Sequence, residues 1–392
     1  MPWRTHTPMS QRLEFVVLAT GANIAFSELC RRFGVSRKTG YKWLKRYKAG
    51  GPEALAERSR RPRRSPGQVA PEVAEAVMAL RRETTWGGRK LRQRLQRLGH
   101  RVVPAASTCT EILRRADLLK KDGSVGPMQR FERPLPNQLW QMDHKGHFAT
   151  QSGERCHPLT VLDDHSRFNL VLDAASDERT PTVQTALTAA FERYGLPEAI
   201  LCDNGGVWGR LTSHTGHTPL SVWLLRLGVR VLHGRPYHPQ TQGKEERFHR
   251  TLNAELLTRH TWRDLAHCAA EFPRYRQRYN HERPHDALQG HTPASRYRAS
   301  VRRLPTALPP LEYPHLDVRV VRAKGVITFR NQSWYIGEAF ASLPVGLRPS
   351  PHADGQWEVY FSYFKLGCLD FTAPPCAKFI ARPVSFLLPL QD

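Results

Sequence analysis

Acidic side chains are sparse in this chain, 35 Asp and Glu against 59 Lys and Arg, so their positions are informative. Asp143 alternates with Trp140 and Met142 in the strand-like segment QLWQMDHKG. Asp203 ends a second such segment, AILCD. The turn Asn204-Gly205-Gly206 after it would leave its carboxylate at a strand end, where ligand sites of open α/β sheets gather. Glu245 and Glu246 open a helix after HPQTQG. Fifty-nine residues separate Asp143 from Asp203, and 42 separate Asp203 from Glu246. Three carboxylates brought to one site repel one another unless a cation fills it. Mg²⁺ or Mn²⁺ prefers such hard oxygen ligands. A pair of ions about 3.5–4 Å apart would activate a nucleophile and steady the leaving oxygen of a phosphodiester.

Helical spacing separates the two glutamates. Glu246, His249, Arg250 and Asn253 share one polar face, whereas Glu245 aligns with Phe248 and Leu252 on the apolar one. Glu246 is therefore the expected ligand, and Glu245 belongs at the helix border. Asp163 and Asp164 read as the cap of a turn before the next strand. Asp173 reads as structural. The histidines lack zinc-site spacing, no GxSxG elbow supports a Ser-His-Asp mechanism, and no Walker loop is present.

The charge distribution supplies a partner. The chain has 392 residues and a formal net charge of +24, of which +18 lies in residues 1–136. Such asymmetry points to a polyanion met mainly by the N-terminal third. No basic amphipathic anchor, signal peptide or transmembrane-length apolar run directs it to a membrane. The seven cysteines are scattered without a CxxC pair, as expected of reduced thiols in a cytosol.

Two helical blocks occupy this basic third. In FSELCRRFGVSRKTGYKWLKRY, Ser27 reads as an N-cap and Gly34 as a tight turn. Ser36 then caps a second helix carrying Arg37, Lys38, Lys42, Lys45 and Arg46. This arrangement predicts a helix-turn-helix that binds DNA over 1–57. A basic linker over 58–70 follows, in which Arg61, Arg63 and Arg64 could track phosphates. Residues 71–120 repeat the pattern with a Ser/Thr-capped last helix, and 121–136 read as another linker. Residues 137–304 alternate strands with amphipathic helices, a mixed α/β layer fold. Within it Thr180 is the expected cap of one helix and Thr218-Pro219 opens another. Residues 305–392 are strand-like and predict a small β-barrel.

The segments WQMDHKG, VLDDHSR, LCDNGG, HPQTQGKEERFHRTL and YNHERPHDALQGHTPASRY together resemble the integrase catalytic core of DDE transposases, the insertion-sequence enzymes related to retroviral integrases. The likeness runs over roughly residues 10–300 and is densest from 137 to 297. It implies an α/β ribonuclease H-like integrase core, which with the N-terminal all-α helix-turn-helix region and the C-terminal β-barrel read above makes a multidomain chain. It further implies a catalytic and metal-binding triad of Asp143, Asp203 and Glu246 holding Mg²⁺ or Mn²⁺, with two ions expected. DNA contacts are expected from Ser36, Arg37, Lys38, Lys42, Lys45, Arg61, Arg63, Arg64, Lys244, His249, Arg250 and Asn253. The implied partners are double-stranded DNA, both terminal repeats and target, and further copies of the chain. The implied location is a bacterial-type cytoplasm, on the nucleoid. The retroviral His/Cys zinc module is absent, and the second acidic spacing is longer than the retroviral one. Rival readings are a DNA-binding regulator with an inactive core and a ribonuclease H-like nuclease that cuts without joining.

Overall fold

A computed structural model describes residues 7–21, 24–57, 69–119, 132–203, 216–233 and 243–372, together with the backbone of 379–380. The chain divides into two compact units, 1–68 and 69–392.

In the first unit, α1 (Pro8–Gly21), α2 (Phe26–Arg32) and α3 (Arg37–Gly50) close over Phe15, Val16, Leu29, Cys30, Trp43 and Leu55. Gly34 takes a left-handed φ of 63° in the turn between α2 and α3. Ser36 caps α3, accepting a hydrogen bond from the Thr39 amide at 3.2 Å. The other expected cap is corrected: α2 begins after Ala25 with no side-chain cap, and Ser27 lies inside its first turn.

The second unit opens with α4 (Pro71–Thr84), α5 (Gly88–Arg97) and α6 (Ala106–Arg115) around Val77, Trp86, Leu91, Leu95, Cys109 and Leu113. Gly88 permits the α5–α6 approach, because a Cβ there would lie 2.3 Å from Thr110 Oγ1 and 2.5 Å from the Ala106 carbonyl. The expected Ser/Thr cap of α6 is not formed. Ala105 occupies that position, with Ser107 and Thr108 already helical.

Six strands build the central sheet: β1 (Trp140–His144), β2 (Phe148–Ala149), β3 (Arg155–Asp163), β4 (Asn169–Ala175), β5 (Ala199–Cys202) and β6 (Arg230–His233). Their order is β2-β3-β1-β5-β6, with β4 also on β3. The β1–β3 and β3–β4 pairs are antiparallel, and β1–β5 and β5–β6 are parallel. Helices cover both faces. On one, α7 (Thr180–Tyr194) and α8 (Pro219–Arg226) bury Val183, Leu187, Phe191, Leu220 and Leu224 against Trp140 and Met142. On the other, α9 (Gly243–Glu255) and α10 (Leu265–His281) bury Phe248, Leu252, Phe272 and Tyr275 against Cys156, Leu162 and Leu172. Thr218 caps α8, whereas Arg179 rather than Thr180 holds the cap position of α7.

Two polar contacts fix the α9–α10 layer. Asn280 exchanges hydrogen bonds of 2.8 and 2.9 Å with the backbone of Asn169 on β4. Glu255, at the end of α9, accepts from Arg283 at 2.9 and 3.1 Å, with both residues 6% exposed. The segment after α10 also holds the second helical block. Arg94 pairs with Glu282 at 2.5 Å, Lys90 with Asp286 at 3.6 Å, and Arg97 donates to the Gly290 carbonyl at 2.6 Å.

In the C-terminal region, β7 (Asp317–Val320), β10 (Pro344–Pro349), β11 (Gln356–Phe361), β12 (Phe364–Asp370) and β13 (Phe379–Ile380) form an antiparallel sheet in the order β13-β12-β11-β10-β7. A separate hairpin joins β8 (Val326–Phe329) to β9 (Gln332–Tyr335). β-Structure stands where it was expected, but the pairings form an open path and no closed barrel exists among the described residues. Val222 and Leu225 of α8 enter this region's core.

Removing one member of a buried ion pair strands the other charge. Arg283→Ala is therefore expected to lower unfolding free energy by roughly 3–5 kcal/mol in urea titrations, far more than the ~0–1 kcal/mol of an exposed pair.

Candidate active site

The register of β1 on β5 is the starting point. Trp140 pairs with Ile200 and Gln141 with Leu201 in parallel. Continued by two residues, the same register sets Asp143 beside Asp203, just past the last residue of β5. Neighbouring strands lie about 4.8 Å apart, so two aspartates stand side by side at strand ends. Side chains alternate along β1, and Trp140 and Met142 face α7 and α8. Asp143 therefore faces α9.

The electrostatics agree with that placement. Burial, and then the charge of Asp203, push the Asp143 carboxyl up to about 7, with Glu178 and Glu246 adding smaller contributions. The His144 amide opposes the shift. Thr160, directly across the β1–β3 ladder, donates to the Asp143 carbonyl at 2.9 Å. His249 Nδ1 lies 3.8 Å from Asp143 Oδ2. Burial holds this imidazole down at about 4, helped by the charges of Lys145 and His144. It is neutral at physiological pH.

On α9 the two glutamates part company. Glu246 is exposed, on the outer face with Arg250 and Asn253. Glu245 is fully buried in the stripe of Phe248, Leu252 and Glu255. Burial, followed by the charge of Asp143, pushes its carboxyl well above the usual range. Glu245 is thus not a border residue but lies beneath the site. His249 also departs from expectation: it is 9% exposed and turned inward. Four residues after Glu245, it falls on the edge of the buried stripe, and the Thr160 hydroxyl 2.8 Å from its Nε2 holds it there.

Lys244 is likewise engaged within the fold. Its ammonium bonds the buried Asp164 carboxylate and the Asp164 carbonyl at 3.1 Å, tying the start of α9 to the β3–β4 turn. Burial lowers its pKa to about 8 against the pull of Asp164. Asp163 accepts from the Ser166 amide, the Ser166 hydroxyl and the Asn137 amide at 2.5–2.8 Å, as a turn-capping carboxylate does. On α3, Ser36, Arg37, Lys38, Lys42 and Lys45 are exposed. Arg12 lies over the Trp43 ring at 4.1 Å, with Lys42 and Arg46 within 4.9 Å. Arg61, Arg63 and Arg64 lie outside the described residues.

Among the described residues, no three His, Cys, Asp or Glu side chains converge closely enough to hold a metal ion. The donor set nonetheless suits a hard divalent cation: Asp143 and Asp203 offer oxygens only, and their mutual repulsion is what a cation would relieve. Two neighbours were not visible in the linear pattern. Thr160 becomes a partner of Asp143 only through cross-strand register. Glu178, whose charge reaches Asp143, is 3.0 Å from His157. Glu245 lay in plain view as one member of an adjacent pair.

Family models match this chain in five places. Integrase core domain models cover residues 133–239 and 227–293. A helix-turn-helix domain covers 11–63, a homeodomain-like domain 39–113, and the C-terminal domain of IS481 family transposases 316–375. The chain carries an integrase core of the insertion-sequence transposase type. Sequence relatives agree. A 31.7 kDa protein of insertion element IS407 from Burkholderia multivorans is 29% identical over 46% of this chain and 64% of its own length. A 39.2 kDa protein of IS476 from Xanthomonas euvesicatoria is 27% identical over 45% of this chain and 49% of its own. The Gag-Pro-Pol polyprotein of simian retrovirus SRV-1 is 32% identical over 31% of this chain and 6% of its own. The chain thus spans less than two thirds of the relatives it matches. The magnesium-bound HTLV-2 integrase catalytic core aligns with 42% of this chain at 17% identity and a TM-score of 0.32, too loosely to carry more.

The half-buried Asp143 has a measurable signature. A carboxyl raised in the folded state keeps a proton that the unfolded chain releases, so its contribution to stability falls as pH rises from about 4 to about 7. His249 acts in the opposite sense below its ordinary pKa, so the readout is the difference between two proteins. With a chelator present, Asp143→Asn is expected to be more stable than the parent by roughly 1–3 kcal/mol at pH 8 and to match it at pH 4, measured by thermal unfolding.

Proposed function

We propose that this chain is a transposase that binds the terminal repeats of an insertion sequence, cleaves the 3′ ends and joins them to target DNA. The observation that carries the reading is the parallel β1–β5 register, which brings two aspartates together at strand ends of an integrase core. Asp143, Asp203 and Glu246 would hold Mg²⁺ or Mn²⁺, two ions by the chemistry of phosphoryl transfer. When bound, such ions lower the pKa of an attacking hydroxyl and stabilise the departing oxygen. Asp143 and Asp203 supply oxygens from a rigid sheet. Glu246 supplies the third from a helix whose inner face is locked into the core. In the first reaction the oxygen of water bonds the phosphorus at the element end, the P–O3′ bond breaks, and a 3′-hydroxyl and a flanking 5′-phosphate are left. In the second that hydroxyl forms a new phosphodiester with target DNA, and the displaced target 3′-oxygen leaves with a proton.

The division of labour follows the domains: recognition in 1–57 and 71–120, catalysis in 137–304, and a supporting β-rich region in 305–392, joined by linkers at 58–70 and 121–136. Exposed Arg37, Lys38, Lys42 and Lys45 on α3 are the sequence-reading and phosphate-binding side chains. Arg250 and Asn253 face DNA beside Glu246. Joining two ends requires more than one copy on the DNA. No helix among the described residues is long and apolar enough to cross a membrane. Action on DNA in a bacterial-type cytoplasm is the location this reading implies.

The deciding experiment incubates the protein with Mg²⁺ and a duplex carrying the ends of its own element. Asp143→Asn, Asp203→Asn and Glu246→Gln are each expected to abolish cleavage and joining while end binding persists. Full activity in either aspartate variant removes the metal triad and places the catalytic groups elsewhere, whereas end binding without any cleavage by the parent supports the regulator alternative. Cleavage without joining supports the nuclease alternative.

Recognition is tested separately. Replacing a base-reading residue among Arg37, Lys38 and Lys42 with Ala should cost roughly 1–3 kcal/mol and relax preference at one base pair, whereas loss of a phosphate contact weakens every sequence alike. Footprints unchanged by all three substitutions would assign reading to another helix, with α6 the next candidate.

A further inference from the structure

Behind Asp143 lies a buried polar cluster with no direct part in phosphoryl transfer. At its centre is one hydroxyl, that of fully buried Thr160. Its oxygen is 2.9 Å from the Asp143 carbonyl, 3.0 Å from Glu245 Oε2 and 2.8 Å from His249 Nε2. The ring of His249 closes the circuit, 3.6 Å from Glu245 Oε2 on one side and 3.8 Å from Asp143 Oδ2 on the other. A hydroxyl offers one proton and two lone pairs. With its proton on the Asp143 carbonyl, the other two contacts use the lone pairs, accepting from the imidazole Nε2–H and from a protonated Glu245 carboxyl. The cluster joins β1, β3 and α9, the elements that carry Asp143, Thr160 and the glutamates.

Glu245 is the unexpected member. It continues the apolar stripe of Phe248 and Leu252, where leucine would bury without desolvating a carboxyl. As a device for stability it is a poor choice. Its one oxygen aimed at Thr160 instead suits holding something still.

We propose that Glu245 is a positioning residue: with Thr160 and His249 it fixes the main chain and carboxylate of Asp143 in their reactive orientation. This rests on reading Asp143 as a catalytic carboxylate, and the experiment keeps the two claims apart.

The test compares full-length Glu245→Leu, Thr160→Val, their double variant and Glu245→Gln by thermal unfolding, steady-state cleavage of element-end DNA and calorimetric binding of Mn²⁺. Glu245→Leu is expected to unfold at or above the parent temperature and to bind DNA with unchanged KM. Its kcat should fall at least about tenfold and Mn²⁺ binding should weaken by a similar factor. Thr160→Val should show the same losses, and the double variant no more than either single, because residues of one network are not additive. Glu245→Gln, which keeps a hydrogen-bond donor at the same reach, should recover cleavage to within about threefold of the parent. A stable Glu245→Leu protein with parental kcat and Mn²⁺ affinity overturns the proposal. If that variant does not fold, parental behaviour of Thr160→Val overturns it alone. Failure of the underlying reading looks different: Asp143→Asn then cleaves and binds Mn²⁺ like the parent. Should the parent not cleave, Mn²⁺ affinity decides. Binding lost in Asp143→Asn but untouched by Glu245→Leu and Thr160→Val rejects positioning.

Discussion

Two carboxylates side by side on neighbouring parallel strands are an electrostatic burden that the rest of the core is arranged around. The register of β1 on β5 brings Asp143 to Asp203, and burial, followed by the charge of Asp203, pushes the Asp143 carboxyl up to about 7. A sheet this close to like charges must be held rigid by other means. Apolar layers on both faces do this, with Trp140 and Met142 against α7 and α8 and Leu162 and Leu172 against α9 and α10. Polar clamps then finish the α9 side: Lys244 on Asp164 at one end and Glu255 on Arg283 at the other. Between those clamps the helix cannot slide, so its inner and outer faces are fixed relative to the aspartates.

The linear pattern revealed the parts that depend on local rules. Alternation around Trp140, the strand-ending position of Asp203 and the offset of Glu245 from Glu246 are all properties of periodicity, and the α/β layering follows from them. Parts that depend on distant chain were not legible. His249 sits at a helical angle between the polar and apolar faces, and only Thr160, 89 residues earlier in sequence, draws it inward. Lys244 reads as a DNA-facing cation until the β3–β4 turn presents Asp164 to it. Ser27 and Ser107 look like caps because Ser favours that position, yet each helix begins before them. In the C-terminal region the strands were evident but their pairing partners were not. Closure of a sheet is a property of register, which alternation along one strand does not encode.

The contacts between α5 and the segment after α10 have a mechanical consequence. Arg94, Lys90 and Arg97 bond Glu282, Asp286 and the Gly290 carbonyl, and Arg259 donates to the carbonyls of Arg82 and Glu83 at 2.7 and 2.6 Å. The α4–α6 block therefore cannot pivot freely about the sheet that carries Asp143. A duplex lying across both would be gauged as by a caliper. On the proposed reading, the span between any bases met by the helices and the phosphate offered to the aspartates would be set by the protein's own dimensions.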